Sequence, residues 1–140
     1  MAVSILMTAL LSAGCTDAGG GGDRRLSDSV VPSSVDPLGC KTQTFVTGTV
    51  SRLTSCSYSG RATIGEVEGQ VEARLPAHGT VHTDVGQSST QILWDKRDVG
   101  ISTTIGPTAA SVDLPPYVEA ANRRARPGFI FVVVDVVRRN

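Results

Sequence analysis

The chain has no excess of either charge: 13 Lys and Arg stand against 13 Asp and Glu. That balance argues against a basic nucleic-acid binder, which needs a cationic face to hold phosphates. Charged residues are only 19% and apolar ones 40%, so the chain is not a charge-rich disordered tail. Aromatics are scarce, at 4%, which leaves the core to Val, Ile, Leu and Ala. Several catalytic signatures are missing. There is no GxSxG for a nucleophile elbow and no HExxH for a zinc protease. The GGGGD run at 19–23 precedes no GK[ST] and follows no strand, so it is not a phosphate loop. What remains is a chain of 140 residues and 14.6 kDa, enough for one domain.

Residues 1–14, MAVSILMTALLSAG, carry no charged side chain. Ile5, Leu6, Met7, Ala9, Leu10 and Leu11 make an apolar stretch too short to span a bilayer, which takes roughly 20 residues. It suits the apolar region of a secretory signal. Ser12, Ala13 and Gly14 then lead directly into Cys15. This stretch resembles the signal of bacterial lipoproteins, in which a small-residue box precedes a lipid-modified cysteine. The resemblance implies removal of residues 1–14, diacylglycerol on the Cys15 thiol and acylation of the new amino terminus, a palmitate-type anchor. It places the protein on the extracytoplasmic face of the cell membrane. Residues 15–39 are expected to form a flexible tether: TDAGGGGD is Gly-rich, and RRLSDSVVPSSVDPLG is polar, with Pro32 and Pro37.

From Cys40 onward the apolar pattern has period two. Phe45, Thr47, Thr49 and Ser51 alternate with Val46, Gly48, Val50 and Arg52. In EVEGQVEARL, Val67, Val71, Ala73 and Leu75 alternate with Glu66, Glu68, Glu72 and Arg74, with one break at Gly69–Gln70. This is expected to be a strand with a turn or bulge, its glutamates on the wet face. Short apolar clusters continue to Ile105, punctuated by Gly and Pro about every ten residues. The expected fold of residues 40–140 is therefore all-β, a small antiparallel sandwich or barrel. One short helix is expected near 117–125, after Pro115–Pro116. Phe129–Val137, FIFVVVDVV, is the strongest strand signal, apolar on both faces except at Asp135. It is expected to be a central strand, emerging toward solvent near Asp135, with Arg138 and Arg139 beside it.

PGFIFVVVDVVRRN, with Tyr117 and Asn122 upstream, resembles a strand of the telokin-like, immunoglobulin-type domain of bacterial lipoproteins. The matching positions are Gly128, Phe129, Phe131, Val133, Val134, Asp135, Val136 and Asn140. The resemblance implies an immunoglobulin-like fold. In that family several strands follow this one, which implies a domain shortened or truncated at its C-terminus.

If Cys15 is lipidated, Cys40 and Cys56 remain as an even pair. In an exported protein such a pair points to a disulfide. A metal pair would lack the CxxC spacing and a nearby histidine. His78 and His82 lie four apart in AHGTVHTD, with Asp84 on the same parity. Two imidazoles and a carboxylate can hold zinc and leave a position for water. The plainer reading is a hairpin with polar residues on its exposed side. Arg123, Arg124 and Arg126 suit the solvated C-terminal end of a helix.

The expectation is a lipid-anchored cell-envelope protein with a non-catalytic domain for binding or structural support. No cofactor and no nucleic acid are expected. Besides the membrane, its partner would be another envelope protein, a wall polymer or a small ligand. The alternative is a small exported metal-dependent hydrolase using His78, His82 and Asp84.

Overall fold

The computed structural model describes residues 21–112 and 127–140. The signal segment, Cys15, the helix expected at 117–125 and the Arg123–Arg126 cluster lie outside the described residues. The described elements run α1 (Gly21–Val30), β1 (Asp36–Thr44), β2 (Val50–Arg61), α2 (Ile64–Arg74), β3 (Thr80–Val85), β4 (Thr90–Lys96), β5 (Val99–Gly106), α3 (Ala109–Val112) and β6 (Phe129–Arg139). The six strands form one sheet in the order β1-β2-β6-β5-β4-β3, with every pairing antiparallel.

The mostly antiparallel β expectation holds, in a layered, sandwich-like form. The barrel variant does not: β1 and β3 are the sheet's two edges and do not pair with each other. Against one face of the sheet the second layer is helical, made by α1 and α2.

β6 holds the central place expected of it, with β2 on one side and β5 on the other. Its Ile130, Val132, Val134 and Val136 point toward the helices and are at most 4% exposed. Each such burial is worth roughly 1.5–3 kcal/mol. Phe131 and Val133 point the other way and pack with Val112 and Leu38 in a second, smaller cluster. Asp135 shares that second face but is partly buried rather than emerging into solvent. Arg138 and Arg139 do not accompany it; they pair with Asp23 and Asp95.

Two further expectations are corrected. Ile64–Arg74 is a helix, not a bulged strand. Thr63 caps it: the Glu66 amide donates to Thr63 Oγ1 (3.2 Å) and the Thr63 amide donates back to Glu66 Oε2 (3.5 Å). Val67 and Val71, four residues apart, are fully buried against the sheet. The tether expected over residues 15–39 does not hold in its described part: Gly21–Val30 is a helix and β1 already begins at Asp36, ahead of Cys40. α1 buries Asp23, Ser27 and Val30, an i, i+4, i+7 stripe whose first two members are polar. They are satisfied from below: Ser27 Oγ lies 2.6 Å from Tyr58 Oη, and Tyr58 in turn donates to Asp28 Oδ1 at 2.7 Å. Burial raises the Tyr58 pKa, so this phenol stays protonated and keeps α1 on β2.

Candidate functional site

The strand register brings several segments to one end of the sheet. Thr44 pairs with Arg52, Arg52 with Arg138, Arg138 with Val99, and Val99 with Lys96. The Arg139 amide donates to Asp98 O (2.7 Å) and the Asn140 amide to Thr49 O (2.9 Å). The β1–β2 turn, the β4–β5 turn and the end of β6 thus lie together.

α1 begins at the same end, held there by Asp23. Its carboxylate is fully buried and receives four hydrogen bonds. Arg52 donates through Nε (2.6 Å) and Nη2 (3.1 Å), Thr54 through Oγ1 (3.1 Å), and Arg138 through Nε (2.9 Å). Burial alone would raise the Asp23 pKa. The bonds from Arg52, Arg138 and Thr54 outweigh it and hold the carboxyl below the usual carboxylate range. The position in the first helical turn also favours the anion.

Between α1 and β4–β5 lies an open groove of about 360 Å³. Leu26, Pro76, Trp94 and Val99 supply its apolar lining; Lys96, Arg97 and Arg138 supply cations, with Asp98 among them. Trp94 is 5% exposed, and its indole Nε1 donates to Pro76 O (2.9 Å). The ring's polar atom is therefore satisfied, and its carbon faces are packed into the core apart from the edge that lines the groove. Gly79 fits beside it because it has no side chain; a Cβ there would fall on the indole. Arg97 occupies the β4–β5 turn with φ of 50°, a left-handed conformation that Gly or Asn adopts more readily.

This end is cationic although the chain as a whole is neutral. Arg24, Arg25, Arg52, Lys96, Arg97, Arg138 and Arg139 stand against Asp23, Asp95 and Asp98, an excess of four positive side chains. Among the described residues, neither the Lys96 nor the Arg97 side chain takes part in an ion pair. Phe45 (43% exposed) and Val46 (102%) project from the neighbouring β1–β2 turn. The described lining of the groove contains no Ser, Cys or His, and it sets Lys96, Arg97 and Arg138 beside the apolar side chains of Leu26, Trp94 and Val99. No family model, curated protein or solved structure matches the chain.

The residues singled out from sequence are distributed elsewhere. Cys40 and Cys56 face each other across β1 and β2 and form the expected disulfide. His82 and Asp84 sit on one face of β3, opposite Leu93 and Gln91, and both are exposed. His78 lies outside that strand, in the preceding turn, with φ of 68°. Among the described residues no group of three His, Cys, Asp or Glu is placed to hold a metal ion, so His78, His82 and Asp84 are not assembled into one. Glu72 accepts from Thr83 Oγ1 (2.6 Å) and thereby joins α2 to β3. Asp135 lies in register with Ser55 and Ser102; burial raises its pKa, and a hydrogen bond with Ser55 opposes the rise. The groove residues went unselected because they come from distant points of the chain. The DKRD sequence between two strands and the single Trp were the available signals.

Proposed function

We propose that this is a lipid-anchored protein of the extracytoplasmic face of the cell membrane, with a non-catalytic β-rich domain used for binding. The observation that carries the proposal is the apolar stretch Ile5–Leu11 followed by Ser12-Ala13-Gly14 and Cys15. The cysteine inventory supports it. Cys40 and Cys56 are consumed in a disulfide, which suits an oxidising compartment outside the cytoplasm. Cys15 is the third and last cysteine, and lipidation would account for it. The groove with cations beside an apolar floor supports a binding role rather than a catalytic one.

Fractionation of the expressing cells tests this reading. The chain should partition with membranes, globomycin should cause a heavier precursor to accumulate, and Cys15→Ser should move the protein out of the lipid-modified pool. Equal membrane retention and unchanged mass in the Cys15→Ser form would refute the anchor.

A further inference from the structure

We infer that the cationic end of the domain is itself a membrane-docking face: the groove beside Trp94 and the Phe45–Val46 tip engage an anionic phospholipid surface. The inference rests on the anchor reading for its orientation, and three independent features of the fold converge on it.

The first is distance. α1 begins at Gly21, six residues after Cys15. Fully extended, six residues reach about 20 Å. A lipid on Cys15 would therefore confine the start of α1, and the sheet end that Asp23 binds it to, within that distance of the bilayer. Had the tether run to residue 39, no particular face would be held near the membrane.

The second is charge. The end that the anchor would hold there carries the excess of four positive side chains, although the chain as a whole is neutral. Anionic headgroups attract such a cluster, and the attraction fades within a Debye length of about 10 Å; a tether of about 20 Å keeps the cluster close enough to enter that range repeatedly. Arg97 is the informative residue. A left-handed turn position would be satisfied more comfortably by Gly, yet it holds an exposed arginine without an ion-pair partner among the described residues.

The third is the apolar surface. Phe45 and Val46 project from a turn where Gly48, at φ of 90°, lets the chain reverse and leaves both side chains outward. Leu26, Trp94 and Val99 line the adjacent groove. Cations beside apolar side chains match the two chemistries of a phospholipid, headgroup phosphate and acyl chain. The tip would insert at the level of the headgroup–acyl boundary while Lys96 and Arg97 contact phosphates.

Trp94 is the single tryptophan, so its fluorescence reports this site alone. The test uses the full chain with Cys15→Ser and two sets of vesicles with brominated acyl chains. One set mixes phosphatidylglycerol and phosphatidylcholine; the other is phosphatidylcholine only. The anionic vesicles should quench Trp94, with binding that weakens as salt rises, and the neutral ones should quench far less. Lys96→Glu with Arg97→Glu should lower the apparent vesicle affinity about tenfold or more, and Phe45→Ser with Val46→Ser should reduce quenching. Arg97→Gly should bind less while unfolding at the same or higher denaturant concentration, which separates lost docking from lost folding. All variants share residues 1–14, so differences among them report the domain. Absence of quenching by anionic vesicles, or equal binding by the charge-reversed chain with unchanged circular dichroism, would overturn the docking face. Because the tested chain bears no lipid, an unmodified Cys15 in the native protein would defeat the anchor reading without altering this result.

Discussion

Replacing Asp23 with alanine should loosen α1 from the sheet. The carboxylate is fully buried and takes four hydrogen bonds from Arg52, Thr54 and Arg138. Deleting one partner of a buried ion pair costs about 3–5 kcal/mol, mainly because the remaining charge is left without compensation. Here the stranded partners are not sealed in: the Arg52 and Arg138 side chains are 27% and 34% exposed. Water can take up part of their charge, which moves the expected loss to the low end, about 3 kcal/mol. That is a large fraction of the 5–15 kcal/mol typical of a domain. Urea denaturation followed by far-ultraviolet circular dichroism measures it. The pH dependence gives a second reading. The folded Asp23 pKa is lowered, so its contribution is present above the ordinary carboxylate pKa and is lost as pH falls through the folded value. The wild type should therefore lose stability in acid more steeply than Asp23→Ala. A loss below about 1 kcal/mol, or identical acid limbs for the two proteins, would refute the assignment of Asp23 as the tie between α1 and the sheet.

Reduction of the Cys40–Cys56 bond, or replacement of both residues by alanine, should cost about 2–4 kcal/mol in the same denaturation assay; peptide mapping without reductant should recover the two segments joined. Asp135→Asn should stabilise the fold at neutral pH. Burial raises the Asp135 pKa, so wild-type stability is favoured below the ordinary carboxylate pKa and is lost as pH rises through the folded value. The advantage of Asn should shrink on acidification, and an Asn variant less stable than wild type at neutral pH would contradict this. Gly79→Ala should cost about 1–3 kcal/mol by pressing on the Trp94 ring, and should change the near-ultraviolet dichroism of that indole; an unchanged spectrum and midpoint would show that the turn yields freely.

The parts legible in the sequence were those where one signal dominates. β6 is apolar at eight of its first nine positions, and its short, β-branched and aromatic run favours a strand buried on both faces over a buried helix. The disulfide followed from counting cysteines once Cys15 was set apart. α1 was hidden because two of its three buried positions are Asp23 and Ser27, so no apolar stripe marks it; their burial is possible only with Arg52, Arg138 and Tyr58 in place, far along the chain. α2 was misread because Val67 and Val71, four apart, satisfy both a period of two and a helical turn. The Thr63–Glu66 capping box was the local feature that separated the alternatives. The groove draws on residues from 26 to 138, and nothing local joins Leu26 to Trp94 or Arg138 before the sheet register is known.

The central claim is that Cys15 fixes this domain to a bilayer, and the mass of the mature chain tests it most directly. Protein extracted from membranes in detergent should show a chain beginning at Cys15, lacking residues 1–14, and heavier than its polypeptide by a diacylglyceryl group and an acyl chain, with that added mass confined to the N-terminal peptide. A chain that retains residues 1–14, or one that begins at Cys15 with an unmodified thiol, would contradict the account.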